Sequence, residues 1–252
     1  MRVYGIESGW QSGAYNMALD EALLELAREK TDETILIVRT YGWQEPTLSL
    51  GVNQAIRDIR FLLEFYGWKK EPPAVVRRPT GGRAILHGED ISFSFVTNDP
   101  ALLRQSLRAS YAVFADLIET TLNRLKLEVL DCGEVGDREY LRSPVCFETH
   151  TPSDLVAGDG RKLSGSAQLR RQGGLLQHGA AFLKPYGVDN DAFSGMLFAV
   201  VAEHYGQTPS AFPFETLEAL LSPLQEAYMK ASGEILASAS VTSGSHLEPA
   251  SF

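Results

Sequence analysis

The order of strand-like and helix-like segments limits the fold of this chain more than any other feature of its sequence. Residues 91–97 alternate Ile91, Phe93 and Phe95 with serine and other residues, in the period-two pattern of a β-strand. Further strand-like runs cover residues 34–41, 47–51, 74–78, 84–88, 145–148 and 154–158, and residues 162–183 read as two strands joined at Gly173–Gly174. Because these runs do not alternate strictly with helices, we predict an α/β fold of the α+β type, with mixed, largely antiparallel β-sheets flanked by helices.

Several other segments have the apolar spacing of helices. Leu19, Leu23 and Leu26 lie on one face of the first, and Ser12 is placed to cap it. The predicted helices cover residues 12–29, 58–66, 100–124, 190–204 and 215–231. We assign residues 1–233 to a single domain, and we expect the small and polar residues 234–252 to form a loosely ordered C-terminal tail.

The charge balance argues against a general nucleic-acid binder. The 252-residue chain carries 23 Lys and Arg against 32 Asp and Glu, a net charge of −9, whereas nucleic-acid-binding domains are usually basic. Two local segments, residues 69–83 and 161–171, are nevertheless rich in Lys and Arg. They predict a positive patch for an anionic ligand or an acidic partner, although any single one of these side chains is more often a solvated surface charge.

The sequence predicts a cytoplasmic protein that does not enter a membrane. No run approaches the roughly 18 consecutive apolar residues of a membrane-spanning helix. The N-terminal residues lack the apolar core of a secretory signal. Cys132 and Cys146 are too few for a disulfide framework, and a reducing compartment leaves both thiols free.

Three segments contain residue types suited to ligand binding or catalysis. The first is R-R-P-T-G-G-R-A-I-L-H-G, residues 77–88, in which a strand brings two arginines to a turn. Two glycines in this turn let the backbone approach a ligand. A hairpin with surface arginines explains the segment equally well. R-K-L-S-G-S-A-Q, residues 161–168, places a lysine beside small residues, and a plain strand with a bulge at Gly165 is its alternative. Q-H-G, residues 177–179, adds a histidine of a kind that is more often structural. Neither G-x-G-x-x-G nor a Walker A loop is present.

Together with N-M-A-L-D-E-A-L (16–23), these motifs resemble in order and approximate spacing the biotin/lipoate protein ligase and lipoyl/octanoyl transferase superfamily. The resemblance covers roughly residues 5–185, and P-V-C-F-E, S-D-L-V and G-R-K-L-S-G-S-A-Q are most similar to the cysteine-dependent octanoyltransferases. It implies the lipoate ligase-like catalytic fold, with Cys146 as the acyl-accepting nucleophile and Lys162 as the active-site lysine. The shared motifs supply the candidate substrate-binding residues, which are Arg77, Arg78, Thr80, Gly81, Gly82, Arg83, His87, Ser164, Gly165, Ser166, Gln168, His178 and Gly179.

The partner of Cys146 must come from another part of the fold. His150 lies four residues further along the chain, which is about 13 Å away in a strand. Only a helix would bring the two together, and Pro144 and Pro152 disfavour one there. The resemblance supplies Lys162 as the partner, with His178 as the second choice. A nearby cation stabilises a thiolate, and a neutral lysine would instead remove the thiol proton; the sequence leaves both roles open.

The resemblance implies octanoyl transfer through a cysteine thioester. The donor is an octanoyl-acyl carrier protein, and the acceptor is a lysine of a lipoyl domain or of a glycine-cleavage H-type protein. No cofactor is required, because exchange between thioesters is close to balanced and conversion of a thioester to an amide runs downhill. Backbone N–H groups near Gly81–Gly82 or Gly165 are candidates for binding the oxyanion of each tetrahedral intermediate.

Three other functions remain open at this stage. An ATP-dependent lipoate–protein ligase of the same fold requires ATP and Mg²⁺ but no cysteine; Arg83 stands here where ligases tend to carry a third glycine. An amidotransferase that moves lipoyl or octanoyl groups between carrier proteins uses the same Cys146 and Lys162. A non-catalytic binding module has no need of Cys146.

Overall fold

The structure is a computed structural model that describes residues 1–55, 58–65, 68, 73–131 and 154–241. Within these residues two β-sheets carry flanking helices, which confirms the predicted fold class. The strands are β1 (Arg2–Gln11), β2 (Ile35–Trp43), β3 (Thr47–Leu50), β4 (Ala74–Arg77), β5 (Ile85–His87), β6 (Ile91–Thr97), β7 (Val129–Asp131), β8 (Leu155–Ala157), β9 (Lys162–Arg171), β10 (Gly174–Ala181) and β11 (Ser210–Ala211). The α-helices are α1 (Gly13–Glu29), α2 (Asp58–Phe65), α3 (Pro100–Leu103), α4 (Leu107–Arg124), α5 (Asn190–Tyr205) and α6 (Glu218–Val241).

The large sheet has eight strands in the described part of the chain, in the order β11-β1-β2-β6-β10-β9-β8-β7. Strand β1 pairs in parallel with β11 and β2, and every other pair is antiparallel. The hairpin β9–β10 turns at the predicted glycines, where Gly173 has a φ of 82° that favours a residue without a Cβ. The small sheet has the order β4-β3-β5. The hairpin that was the alternative interpretation of residues 77–88 does not form, because β3 lies between β4 and β5.

Apolar side chains fill both faces of the large sheet. Helices α4 and α5 pack on one face, where Phe95 stacks on Phe114 of α4 and Phe93 contacts Phe193 of α5. Helix α1 covers the other face and begins at Ser12, whose hydroxyl accepts a hydrogen bond from the Tyr15 N–H as predicted. Both faces are therefore removed from water, and the serines that alternate with the phenylalanines in β6 face α1 rather than solvent.

The strand positions that face α1 change from apolar to polar along their length. In β2 the apolar Ile35 and Ile37 are followed on the same face by Arg39 and Tyr41, all buried. Strand β10, which lies beyond β6 in the same sheet, changes in the same way, from Leu176 to His178. The apolar end packs against α1, and the polar end forms one wall of the candidate site.

Two helices differ from their predicted limits. The helix predicted over residues 100–124 is split into α3 and α4, because Ser106 adopts an extended conformation and caps α4 through the Ala109 N–H. Helix α6 runs to Val241, so the segment predicted as a loose tail begins within a helix. The physical reason is that Ile235 packs into the apolar cluster of the small sheet and is only 5% exposed. Residues 242–252 lie outside the described residues.

No helix in the described ranges combines the length and the apolar character that crossing a membrane requires.

Candidate active site

A pocket opens where the small sheet meets the polar end of the large sheet. The small sheet and its loops contribute Ser49, Arg78, Gly82, Ile85 and His87. The large sheet and helix α1 contribute Met17, Tyr41, Trp43, Ser92, Gly165, Ser166, Ala167, His178 and Gly179. The three motif segments of the sequence therefore meet at one place, as the resemblance implies.

Beneath this pocket, a polar network around Asp20 joins helix α1 to strands β2, β6 and β10. The Arg39 guanidinium donates to the Asp20 carboxylate at 2.7 Å, and the Ser94 hydroxyl donates to the same oxygen at 2.8 Å. The Tyr41 hydroxyl donates to the other oxygen at 3.1 Å. Burial opposes the charge of Asp20, yet Arg39 and His178 hold the pKa of its carboxyl below the ordinary value. We call Asp20, Arg39, Tyr41, Ser94 and His178 the Asp20 network.

His178 connects the Asp20 network to the small sheet. Its Nδ1 lies 2.9 Å from the Asp20 carboxylate, and its Nε2 lies 2.7 Å from the Thr80 hydroxyl. An ionised carboxylate only accepts, so Nδ1 carries the proton and Nε2 accepts from Thr80. Burial lowers the pKa of His178 and outweighs the opposing effect of Asp20, which keeps the imidazole neutral. Both ring nitrogens are thus used to hold the Thr80 turn against the large sheet.

A second His–Asp pair lies in the same pocket, on the small-sheet side. The His87 Nδ1 is 2.8 Å from the Asp90 carboxylate, which also accepts from the Gly88 N–H and the Ser92 hydroxyl. One face of the His87 ring stacks on Trp43, with centroids 3.9 Å apart and planes 14° apart. Although burial opposes its charge, the attraction of His87 and these hydrogen bonds hold the pKa of the Asp90 carboxyl below its ordinary value.

Lys162 forms a buried ion pair at the start of strand β9. Its Nζ lies 2.7 Å from the Asp154 carboxylate, and the two side chains are 2% and 4% exposed. A Cβ at position 165 would lie 2.6 Å from Lys162 Cε and 2.9 Å from an Asp154 oxygen. Gly165 lines the pocket. Because it has no side chain, the ion pair can lie directly behind this part of the pocket wall.

The two arginines of the turn segment are engaged with the backbone. Arg78 is 5% exposed and donates to the carbonyls of Ser49, Gly81 and Arg83, which fixes the turn. Arg77 donates to three carbonyls of the loop after β3, those of residues 51, 52 and 54. Gly82 has a φ of 90°, and a Cβ there would lie 2.7 Å from an Arg78 nitrogen. Of these residues, Arg78 and Gly82 line the pocket.

Several predicted binding residues lie away from the pocket wall. The Gln168 side chain donates to Gln177 and accepts from Ser110 of helix α4, on the opposite face of the large sheet. Ser166 lines the pocket, but its hydroxyl bonds Tyr111 on that same opposite face. Ser164 is buried, and neither it nor Arg77, Thr80, Gly81 or Arg83 is among the pocket-lining residues.

The arginines of the two basic segments are largely paired. Arg171 forms ion pairs with Glu21 and Glu25, and Arg161 pairs with Asp159. Arg170 donates to carbonyls at the end of α3 and the start of α4. The charges of Arg161 and Arg171 are thus balanced by carboxylates, which weakens the predicted positive patch, whereas the carbonyls around Arg170 leave its charge unbalanced. Lys69 and Lys70 lie outside the described residues.

The carboxylates of the site were not singled out from the sequence, although all three lie in or near quoted motifs. Asp20 belongs to N-M-A-L-D-E-A-L, Asp154 to S-D-L-V, and Asp90 follows His87 by three residues. Only Asp90 could have been recognised from the sequence, because it lies three residues after a histidine of a quoted motif. Cys146, His150 and Cys132 lie outside the described residues. Within the described ranges, no group of three or more His, Cys, Asp or Glu residues is arranged to hold a metal ion.

Some known proteins are similar to this chain in sequence, and others are similar to it in fold. The octanoyltransferase LipM of Anoxybacillus flavithermus is 39% identical over 186 residues, which are 71% of this chain and 64% of that protein. LipM of Bacillus subtilis is 36% identical over 184 residues, with the same two shares. The match thus spans about 64% of the length of these curated relatives.

The solved structure of a bipartite lipoate protein ligase from Thermoplasma acidophilum superposes with a TM-score of 0.65 at 17% identity, over 90% of this chain and 92% of that one. At this identity the likeness concerns the fold alone. The family model of the lipoyl protein ligase A/B catalytic domain matches residues 12–230, most of the chain. The chain therefore belongs to the lipoyl protein ligase A/B catalytic domain family.

Proposed function

We propose that this chain is an octanoyltransferase that uses Cys146 as its nucleophile. It moves an octanoyl group from an acyl carrier protein to a lysine of a lipoyl domain or of a glycine-cleavage H-type protein. The names of the LipM relatives support the reaction class. The family match over residues 12–230 supports the use of the same catalytic domain.

The buried Lys162–Asp154 ion pair is the observation that carries the proposal. Burying two charges is costly, and a buried pair is weak evidence for a stabilising role alone. Here the pair lies behind a glycine in the pocket wall, and a Cβ at that position would come within 2.8 Å of the lysine nitrogen. A reactive cation held next to a substrate pocket accounts for both the burial and the missing side chain. Asp154 accepts from the ammonium and fixes its orientation.

In the first step, the Cys146 thiolate attacks the carbonyl carbon of the octanoyl thioester. The bond from that carbon to the sulfur of the carrier breaks, and the carrier thiolate takes up a proton from solvent, which balances the proton that Cys146 released to solvent when it ionised. The Lys162 ammonium stabilises the negative charge on sulfur during the exchange. One thioester replaces another, so the step requires neither ATP nor a metal ion.

In the second step, the ε-amine of the acceptor lysine attacks the carbonyl carbon of the Cys146 thioester. The carbon–sulfur bond breaks and an amide forms. The Lys162 ammonium donates a proton to the departing sulfur and takes one back from the nitrogen that forms the amide. Each tetrahedral intermediate carries an oxyanion, and backbone N–H groups near Gly82 and Gly165, both in the pocket wall, are the proposed donors.

Acylation of an acceptor domain with and without ATP tests the proposed function. The parent protein, Cys146→Ala and Cys132→Ala are each incubated with octanoyl-acyl carrier protein and a lipoyl domain, and the mass of the lipoyl domain is measured. We expect the parent and Cys132→Ala to octanoylate the domain without ATP, and Cys146→Ala to be inactive. Acylation that occurs only with ATP, Mg²⁺ and free octanoate or lipoate, and survives in Cys146→Ala, would show a ligase instead.

A further inference from the structure

His87 is a buried histidine with one nitrogen left for a substrate. It is 6% exposed and lines the pocket. Its Nδ1 is held by Asp90, and one face of its ring is covered by Trp43. Among the residues that the structure describes, its Nε2 has no hydrogen-bond partner. The histidine therefore meets the pocket with a single polar atom.

Asp90 fixes which nitrogen of His87 carries the proton. The Gly88 N–H and the Ser92 hydroxyl both donate to the Asp90 carboxylate, and Trp43 in turn donates to Ser92 at 2.9 Å. A carboxylate held in this way accepts from the Nδ1–H of His87. Whenever the ring carries a single proton, its lone pair lies on Nε2, which is the arrangement of an oriented general base.

The second step of the proposed function requires such a base. An acceptor lysine arrives in water as an ammonium ion, which has no lone pair with which to attack a thioester. Two protons leave its nitrogen before the amide is complete. The departing sulfur takes up the equivalent of one proton, and the other proton has to pass to a base and then to solvent. Lys162, a cation paired with Asp154, protonates the departing sulfur and is therefore not this base.

We propose that His87 is the general base of the second step, and that its Nε2 removes the first proton from the acceptor ammonium. The inference rests on the proposed octanoyl transfer. The neutral amine then attacks the Cys146 thioester, and the resulting His87 imidazolium releases its proton to solvent after product formation. Asp90 is a positioning residue that stabilises the imidazolium. The first step involves no ammonium substrate and does not require His87.

The charged and titratable groups around His87 come from several elements. Asp90 follows β5, Arg78 follows β4, and Tyr41 and His178 line the pocket from the large sheet. Arg78 is held by backbone carbonyls, and His178 has both nitrogens engaged. Tyr41 keeps its proton, because burial and the charge of Asp20 raise the pKa of its hydroxyl well above the ordinary value. Arg78, His178 and Tyr41 therefore cannot replace His87 as the acceptor of this proton.

The two half-reactions of a His87→Asn variant test the proposal. The asparagine amide can replace the Nδ1–H as donor to Asp90, but it offers no base. Acyl-enzyme formation from octanoyl-acyl carrier protein is followed by intact mass, and the isolated acyl-enzyme is then mixed with a lipoyl domain. We expect the first rate to stay within about 3-fold of the parent and the second to fall by about 100-fold or more, the usual range for removal of a general base.

A neutral nucleophile distinguishes the loss of a general base from a structural change of the active site. Hydroxylamine is uncharged at neutral pH and needs no base, so it should cleave the acyl-enzymes of the parent and His87→Asn at equal rates. His204→Asn, on the exposed side of helix α5, is the matched control and should match the parent in both steps. His87→Gln, which also lacks a base, serves if His87→Asn unfolds.

Three results would overturn the assignment. Transfer from the His87→Asn acyl-enzyme to the lipoyl domain at the parent's rate would exclude His87 as the base. Equal slowing with the lipoyl domain and with hydroxylamine would assign His87 a structural role only. A parent that forms no acyl-enzyme would reject the proposed function itself, and the inference with it.

Discussion

Two His–Asp pairs place their histidines in the wall of the same pocket, and the pairs differ in whether the second ring nitrogen is left without a partner. In the His178–Asp20 pair, Asp20 holds Nδ1 and Thr80 holds Nε2. In the His87–Asp90 pair, Asp90 holds Nδ1 and the described residues offer Nε2 no partner. Both histidines are about equally buried, at 5% and 6% exposure. Burial and a carboxylate are therefore not sufficient to identify a reactive histidine; the remaining nitrogen distinguishes the two.

The surroundings of the two carboxylates explain the different roles. Asp20 is bound by the Arg39 cation and by three other side chains, which join a helix to three strands of the large sheet. Asp90 is bound by His87 and by two uncharged groups from its own turn and the following strand. The first pair holds the sheets together, and the second holds one imidazole in a fixed orientation.

Removing the two carboxylates should affect stability unequally. Asp20→Ala leaves the fully buried Arg39 without its counter-ion, which costs about 3–5 kcal/mol in the free energy of unfolding. Asp90→Ala leaves only uncharged donors unpaired, at about 1–3 kcal/mol. Urea denaturation of both variants measures the difference. An equal loss, or a larger one for Asp90→Ala, would contradict the division between a structural and an orienting pair.

Gly165→Ala should slow acyl transfer without unfolding the protein. The new Cβ would lie 2.6 Å from Lys162 Cε, and the flexible lysine can move aside, but its ammonium then leaves its place. A misplacement of about 1 Å can lower kcat by roughly 100-fold. Steady-state kinetics and thermal denaturation together measure the effect.

Gly195→Ala in helix α5 is the control for this substitution. A Cβ there meets nothing within 4 Å, so we expect parental activity and a stability gain of about 0.5–1 kcal/mol. If Gly165→Ala kept the parental kcat, the Lys162–Asp154 ion pair would have no role in acyl transfer.

Thr80→Val should destabilise the protein through His178. The valine removes the hydroxyl that donates to Nε2 and leaves a buried acceptor unpaired, which costs about 1–3 kcal/mol. Thr80→Ser keeps the hydroxyl and should lose less. If both variants lose the same stability by urea denaturation, the methyl group rather than the hydrogen bond is responsible.

Acid should destabilise the protein through His178 before it affects the carboxylates. Burial lowers the pKa of folded His178 below its ordinary value of 6.5, so the unfolded chain binds the proton first as the pH falls through this value. Stability is therefore full above that pH and declines below it. Asp20 and Asp90, whose pKa values are lowered from 3.8, lose their contribution only in stronger acid. The decline of Tm from pH 7 to 5 should be smaller in His178→Asn, and an unchanged decline would contradict this assignment.

The sequence predicted most of the elements because local pattern determines them. Period-two alternation located β6, and the cap at Ser12 located the start of α1. The resemblance supplied Gly82, His87, Gly165 and His178 as candidate binding residues, and all four line one pocket. Strand β1 was not predicted, since its polar and apolar residues show no clear alternation.

The pairing of side chains across the fold could not be read from the sequence. Asp20 and His178 are 158 residues apart and meet only because α1 covers β10. Arg77 and Arg78 look alike in the motif, yet Arg77 holds a loop while Arg78 fixes the turn and lines the pocket. Such differences depend on which strands become neighbours, and local pattern carries little information about that.

The mass of the protein after incubation with octanoyl-acyl carrier protein, in the absence of ATP, tests the proposed chemistry at its first covalent step. We expect a gain of one octanoyl group in the parent and in Cys132→Ala, located by peptide mapping on Cys146 and removed by hydroxylamine. Cys146→Ala should show no gain. An unmodified parent, or a hydroxylamine-stable group on another residue, would contradict transfer through a Cys146 thioester.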